Sequence, residues 1–165
     1  MTLLLPVESR FWRMLSVAFQ RQPLASGSHV RGGRLNPPGT AAMYLAADHS
    51  TAIVEYHQGL ARPGTLAGYD IASPAIVDLR DPATVAALGG GDPDCAWRLL
   101  RDEGRPVPSW QTATAAIAAG AHGALYRSVA RPDGDNLVLW HWHDSSVGGG
   151  EGAAIGLVDP HRDLG

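Results

Sequence analysis

One stretch of the chain, from Arg31 to Glu55, constrains the fold most, because it joins a glycine- and proline-rich loop to a short apolar strand and a helix. It reads RGGRLNPPGTAAMYLAADHSTAIVE. The glycine pair at 32–33 allows a close backbone approach to a ligand, and the Asn-Pro-Pro-Gly turn at 36–39 directs the path of the loop. The guanidinium forks of Arg31 and Arg34 match phosphate oxygens. The stretch therefore favours a site for a phosphate-bearing ligand.

The composition is that of an ordinary globular protein. Of the 165 residues, 45% are hydrophobic and 18% are charged, which predicts a single domain over residues 1–165. The formal net charge is −3 and no basic run occurs, so direct nucleic-acid binding is disfavoured. The N-terminal sequence does not resemble a signal peptide, and no apolar run approaches the roughly 20 residues of a membrane span. We therefore expect a cytoplasmic protein with no membrane contact.

The single cysteine, Cys95, excludes an internal disulfide. We interpret it as a small apolar residue of a helix rather than as a nucleophile. His141 and His143 would share one face of a strand, but no third ligand has a clear spacing, so we predict no metal site.

The first strand is predicted over residues 10–18, and it carries Arg13 between apolar neighbours. An arginine in such a strand needs a partner, which is either a carboxylate at the sheet edge or a ligand. The loop that follows, residues 20–40, is long for a compact domain, and such loops are commonly functional.

Residues 41–46 have the period of a strand, with Tyr44 on a face made otherwise of alanines. Tyr44 is either packed in the core or a platform for a planar ring. A helix is predicted over residues 49–60, capped by Asp48 or Ser50. The predicted buried stripe of this helix comprises Ala52, Ile53, Tyr56 and Leu60.

Glu55 lies at the edge of that stripe, beside the small residues Ala52 and Gly59. A carboxylate with open space above it can stabilise a positive charge that develops on a sugar. With the arginines and Tyr44, it indicates a nucleotide site with chemistry at a ribose.

The rest of the chain predicts further strands and helices around this unit. The strands cover residues 65–71 and 75–79, joined by a turn at Ser73-Pro74, then 123–129, 136–142 and an edge strand in AIGLVD. The helices cover 82–88, 93–103 and 110–119, the first two opened by Asp-Pro pairs. Residues 144–153 are predicted to be a flexible loop.

The motifs in this order resemble the RES-domain toxins of bacterial toxin–antitoxin pairs, a family named for an Arg, a Glu and a Ser. The resemblance runs from the strand of Arg13 to the segment NLVLW. It rests on the loop at 32–39, Tyr44, Glu55, Ser128 in LYRSVARP and Asn136 in DNLVLW. The chain departs from the family pattern at Leu35 and in the WHWHD segment.

The resemblance implies an α+β fold similar to the ADP-ribosyltransferases, with mixed β-sheets flanked by helices around a cleft for NAD. Such toxins consume NAD, either by transferring ADP-ribose to a host metabolic enzyme or by degrading NAD with water or phosphate. The expected partner is a helix-turn-helix antitoxin that covers the cleft.

The residue chemistry then suggests a role for each side chain. Glu55 would stabilise the oxocarbenium-like ribose, as carboxylates do in glycoside hydrolysis. Arg34, with Arg31 or Arg13, would hold the diphosphate. The remaining roles are a stacking contact of Tyr44 with nicotinamide, a hydrogen bond from Ser128 to the substrate or to Glu55, and a contact of Asn136 with NAD.

Two other classes of function fit the same residues. One is a catalytically idle module that only holds a nucleotide or a partner segment in the cleft. The other is a hydrolase of cyclic phosphates or nucleotides that uses the arginines and histidines. Only an NAD-cleaving enzyme predicts the release of free nicotinamide from NAD.

Overall fold

The computed structural model describes residues 2–159, which form one α+β domain, as expected. The strands are β1 (Leu5–Ser16), β2 (Met43–Ala46), β3 (Gly64–Asp78), β4 (Gly123–Arg127), β5 (Asp135–Leu139), β6 (Trp142–Asp144) and β7 (Ala153–Val158). The helices are α1 (His49–His57), α2 (Pro82–Ala87), α3 (Trp97–Asp102) and α4 (Pro108–Ala118), with a 3-10 turn at Val17–Phe19. Within the described residues, no helix is both long and apolar enough to cross a membrane.

The seven strands form one mixed sheet that closes on itself. Strand β1 pairs with β3 along its length and with β2 through Trp12 and Ala46, which completes a ring in the order β1-β2-β5-β4-β3. The edge of β3 that faces away from β1 pairs with two strands in succession. It pairs first with β7 in antiparallel orientation and then with β4 in parallel orientation. Strand β6 pairs with β7 in parallel at the outer end. The sheet therefore has the long strand β3 at its branch point.

Two hydrophobic clusters lie on the two sides of the strands. One is built from β1, β2, β3, β5 and β7, with Leu15, Met43 and Tyr69 fully buried. The other lies between the sheet and helices α2 and α4 and includes Leu35 and Tyr126. Because Gly33, Leu35 and Asn36 are buried, this part of the glycine-rich loop is packed into the core.

The predicted break at Ser73-Pro74 is wrong, since β3 is continuous across it. Proline has no N–H to donate, so within sheets it is confined to edges and bulges. Pro74 lies between Ala72, where the pairing with β7 ends, and Ile76, where the pairing with β4 begins. The register against β1 also shifts at this level, between Leu5 and Val7. The N–H that Pro74 lacks is therefore not required for the pairing of β3 with either β7 or β4.

The predicted helix over 93–103 begins later, at Trp97. Asp92 does accept a hydrogen bond from a backbone N–H, that of Asp94 at 2.8 Å, but it closes a turn and not a helix. The Asp81-Pro82 pair behaves as predicted, since Asp81 caps α2. An Asp-Pro pair thus begins a helix at Asp81 and closes a turn at Asp92, so the pair alone does not decide between the two.

Helix α1 is capped by Asp48, whose carboxylate accepts from the N–H of Thr51 at 2.8 Å. The helix ends at His57, earlier than predicted, and Gln58 adopts a left-handed backbone conformation (φ 44°). The predicted stripe is mostly wrong: Ala52 is buried, but Ile53 is exposed and Leu60, beyond the helix end, is 73% exposed. The buried residues of the helix, Thr51 and Ala52, both lie in its first turn, and its second half borders a cleft.

The end of the chain differs from the prediction in two places. The strand predicted over 136–142 is split into β5 and β6, because the N–H groups of Trp140 and His141 both turn to the carbonyl of His122. The AIGLVD segment is a strand, as predicted, but it lies inside the sheet, and the outer strand is β6.

Candidate active site

A cleft of about 1110 Å³ lies between α1, α3 and the adjoining strands. Small-molecule pockets in proteins commonly measure roughly 300–1,000 Å³, so this cleft has room for a dinucleotide-sized ligand. The residues that line it include Trp12, Arg13, Arg34, Tyr44, Glu55, Arg62, Asp94, Cys95, Trp97, Arg98, Tyr126 and Asn136.

Glu55 lies on the cleft side of α1 and is held by two side chains from other elements. The Oγ of Ser128, just after β4, donates to Oε1 of Glu55 at 2.5 Å. The Nδ2 of Asn136, on β5, donates to the same oxygen at 2.8 Å. None of the hydrogen bonds among residues 2–159 goes to Oε2 of Glu55. The carboxylate is thus held through one oxygen, and the other remains available to a ligand.

The two partners of Glu55 are themselves well placed. The hydroxyl of Ser128 accepts a hydrogen bond from the N–H of Arg131 at 3.0 Å, so its own hydrogen is directed to the carboxylate. Asn136 is buried opposite Tyr126 in the β4–β5 ladder. Its Oδ1 is buried and has no hydrogen-bond partner within the described residues. Buried polar atoms are normally paired, so this oxygen is a candidate contact for a ligand donor.

Tyr44 extends from β2 and borders the cleft with its ring. Its hydroxyl accepts from the N–H of Leu35 at 2.9 Å and donates to Oδ1 of Asn36 at 2.5 Å. The ring meets that of Tyr126 edge to face, with centroids 6.5 Å apart. Burial raises the pKa of both phenols, so both are uncharged at neutral pH. The hydroxyl of Tyr44 therefore anchors the glycine-rich loop, while its ring shapes the wall.

Arg34 also borders the cleft, but its guanidinium is largely engaged within the protein. Its Nε donates to the carbonyl of Pro93 at 2.7 Å, its Nη1 donates to the carbonyl of Arg127 at 3.0 Å, and its Nη2 pairs with Asp94. The guanidinium carbon lies 4.8 Å from the centre of the Tyr126 ring, and the side chain is only 10% exposed. In this arrangement Arg34 ties the loop to the segment that leads into α3 and to the end of β4.

The other two arginines nominated from the sequence are placed differently. Arg13 lines the cleft, but its Nη1 donates to the carbonyls of Pro23 and Ala25 at 3.3 and 2.9 Å, and burial lowers its pKa. It pairs with no carboxylate among the described residues. Arg31 is exposed and is not among the residues that line the cleft.

Several cleft residues carried no functional prediction. Tyr126 precedes Ser128 by two residues, so the period of a strand puts the two side chains on one face, and that shared face is the available signal for it. Trp12, Trp97 and Arg98 gave no local signal, because an aromatic or a basic residue in a strand or helix is ordinary.

Among residues 2–159, no group of three or more His, Cys, Asp or Glu side chains has an arrangement that could hold a metal ion. Cys95 lines the cleft, and its thiol donates to Oγ of Ser109 at 3.4 Å.

Comparisons with known proteins identify the family. No curated protein matches the chain. A chain of the crystal structure of the M. tuberculosis MbcT–MbcA toxin–antitoxin complex shares the fold, with a TM-score of 0.56 and 21% identity, over 82% of this chain and 75% of that one. The sequence profile of the RES domain matches residues 10–151, which include every candidate site residue described above. The chain therefore belongs to the RES-domain family.

Proposed function

We propose that this protein cleaves the nicotinamide–ribose bond of NAD and passes ADP-ribose to an acceptor. The observation that carries the proposal is the carboxylate of Glu55, held through one oxygen by Ser128 and Asn136 at the wall of a dinucleotide-sized cleft. Membership of the RES-domain family also supports the proposal, because the resemblance to RES-domain toxins implies a reaction that consumes NAD.

The chemistry needs few protein groups. The bond between C1′ of the ribose and the pyridinium nitrogen breaks, and its electron pair stays on nicotinamide, which leaves as a neutral molecule. The ribose becomes oxocarbenium-like, and the charge of Glu55 stabilises it. An acceptor oxygen or nitrogen then bonds to C1′ and releases its proton. Neutral nicotinamide needs no metal or general acid to leave.

The neighbours of Glu55 have supporting roles in this reaction. Ser128 and Asn136 hold the carboxylate in one orientation before the substrate arrives, which lowers the reorganisation needed in the transition state. The ring of Tyr44, edge to face with Tyr126, offers an aromatic wall for nicotinamide. The buried Oδ1 of Asn136 can accept from a ribose hydroxyl or from the carboxamide N–H.

We further propose that the protein is a cytoplasmic toxin restrained by an antitoxin of the helix-turn-helix class. Support comes from the family and from the fold shared with a chain of a toxin–antitoxin complex. Exposed apolar side chains also line the cleft, namely Val54, Leu99 and, at 67% exposure, Val129. A partner laid over the cleft would cover them and block access of NAD. A host metabolic enzyme is one candidate acceptor, and water or phosphate is the other.

A catalytically idle binding module is the second candidate, and one observation favours it. The donors of Arg34 already bind Pro93, Arg127 and Asp94. This arrangement is expected if Arg34 stabilises the fold and does not bind a substrate. An idle module would bind nucleotides but release no nicotinamide.

The deciding experiment is incubation of the purified protein with NAD labelled in its adenosine half, with and without bacterial lysate. Release of nicotinamide supports the enzyme, and label on a discrete protein band identifies a transferase. Label found only in small molecules identifies degradation. Intact NAD in every sample, with measurable binding, would leave the idle module as the better explanation.

A further inference from the structure

The arginines nominated from the sequence are poorly placed to hold a diphosphate. All three guanidinium nitrogens of Arg34 are engaged within the protein. Arg13 is half-buried and its Nη1 donates to the carbonyls of Pro23 and Ala25, and Arg31 lies away from the cleft. A diphosphate carries two negative charges, and a cleft that selects it needs cations whose donors are available. The cleft contains two further arginines, Arg62 and Arg98.

Both of these arginines are exposed and both reach the last turn of α1. Arg62 stacks on the ring of Tyr56 at 4.4 Å and contacts the carbonyl of the same residue. Arg98, in the first turn of α3, stacks on Trp97 at 5.1 Å, and its Nη2 donates to Oε1 of Gln58 at 2.7 Å. The bond from Arg98 to Gln58 thus joins the two helices that border the cleft.

Neither guanidinium is neutralised by an acid. Arg62 and Arg98 form no ion pair with a carboxylate of residues 2–159, whereas their neighbour Arg101 pairs with Asp102 at 2.9 Å. An arginine has five N–H donors, and each of these two uses one side-chain donor in an internal hydrogen bond. Stacking on an aromatic ring holds each guanidinium in place with its edge free. The pair is therefore a preformed cationic rim.

The distance along α1 suits the substrate of the proposed reaction. Gln58 follows Glu55 by three residues, which is about 4.5 Å along a helix. A ribose with its C1′ at Glu55 and its 5′-oxygen turned toward the end of α1 would place the phosphates beyond it at the rim. Resting on the proposed function, we propose that Arg62 and Arg98 form the anion subsite of the cleft and hold the diphosphate of the nucleotide, with Arg34 as a positioning residue of the wall.

Binding at this subsite uses the donors that remain free. Arg98 keeps its bond to the neutral amide oxygen of Gln58 and gains a charged phosphate oxygen. Hydrogen bonds between two charged groups are shorter and stronger than those with a neutral partner. The exposed position of the rim also predicts that the gain falls as salt is added.

The test uses ADP and adenosine as probes, with binding measured by calorimetry on the full chain. Wild type should bind ADP more tightly than adenosine. The double variant Arg62→Gln/Arg98→Gln should lose about tenfold or more in ADP affinity, with adenosine unchanged and the salt dependence reduced. Arg101→Gln is the matched control, because Arg101 lies on the same helix and also stacks on Trp97, at 5.2 Å, but is not among the cleft-lining residues.

Three outcomes would overturn the subsite. They are a wild type that does not bind ADP, a double variant with unchanged ADP affinity, and an equal loss in Arg101→Gln. The single variants and a urea unfolding curve exclude a folding defect, which is not expected for exposed side chains. ADP cannot be turned over, so these results stand even if NAD is never cleaved. Conversely, NAD cleavage with an unchanged KM in the double variant would reject the subsite and keep the proposed function.

Discussion

The hydroxyl of Ser128 donates to Oε1 of Glu55 at 2.5 Å, although the two residues are 73 positions apart in the chain. The same hydroxyl accepts from the N–H of Arg131, which leaves its hydrogen no other direction than the carboxylate. Asn136 donates to the same oxygen from the neighbouring strand. A carboxylate held this way needs little reorganisation when positive charge develops beside it.

Glu55→Gln should keep the fold and lower the rate of nicotinamide release by about 100-fold or more, because the change removes the charge that meets the oxocarbenium ion. Glu55 is half-buried and forms no ion pair among residues 2–159, so stability should change little. The measurement is nicotinamide release from NAD under saturating conditions. Glu8→Gln, at an exposed position of β1, is the matched control. Turnover close to wild type in Glu55→Gln would remove Glu55 from the mechanism.

Ser128→Ala should lower kcat by about tenfold with little change in KM, because the lost hydrogen bond orients Glu55 and does not hold the substrate. Ser128→Thr retains a hydroxyl and should recover part of the loss. A merely structural role would instead lower stability without this split between kcat and KM. Ser146→Ala, whose hydroxyl contacts only Asp144 within the described residues, should behave as wild type. A change in KM alone would point to direct substrate binding by Ser128.

Arg34→Lys should weaken NAD binding and also lower the free energy of unfolding by about 1–3 kcal/mol, because lysine cannot satisfy the carbonyls of Pro93 and Arg127 together. The measurements are a urea unfolding curve and the KM for NAD. Arg31→Lys, at an exposed loop position, should change neither quantity. An unchanged stability for Arg34→Lys would contradict its role in tying the loop to α3.

His122 should make stability depend on pH. Burial, followed by the nearby His141 and His143, lowers its pKa below the ordinary value of 6.5. Just below pH 6.5, therefore, His122 binds protons more readily in the unfolded chain than in the folded one. The contribution of neutral His122 to the free energy of unfolding is thus fully present above pH 6.5 and is lost as the pH falls.

The measurement for His122 is the free energy of unfolding between about pH 5 and pH 7.5 in wild type and His122→Gln. As the pH is lowered over this range, the free energy of unfolding should fall less in the variant than in the wild type. His29→Gln, at an exposed position, should retain the wild-type loss. Equal pH dependence in wild type and His122→Gln would show that other groups carry the effect.

Expression of the wild-type protein alone should arrest bacterial growth, whereas Glu55→Gln at an equal protein level should not. The reason is that the proposed reaction consumes a central cofactor, and the variant lacks the charge that drives it. Growth curves with immunoblots of protein level provide the measurement. Co-expression of a cognate antitoxin should restore growth. Equal growth of both strains would count against the toxin and favour the binding module.

Much of the local structure follows from the sequence alone. The strand around Tyr44 and the Asp-Pro start of α2 were predicted because each depends on residues within one or two turns, and for the same reason the cap of α1 was narrowed to Asp48 or Ser50, of which Asp48 is the cap. The ordered motifs from the strand of Arg13 to the segment NLVLW also indicated the family, which the match over residues 10–151 confirms.

The remainder was decided by contacts between residues far apart in the chain. The continuity of β3 across Pro74 depends on where its partners β7 and β4 end and begin, which no local pattern contains. From the sequence, Arg34 is predicted to bind phosphate. In the structure, however, its Nε donates to the carbonyl of Pro93, 59 residues away. The juxtaposition of Glu55 with Ser128 and Asn136 likewise needs the closed ring of strands, because only pairing register sets which side chains meet across a cleft. Residue types and their order therefore determined which chemistry this chain can support, and the long-range register decided which of those residues share a site.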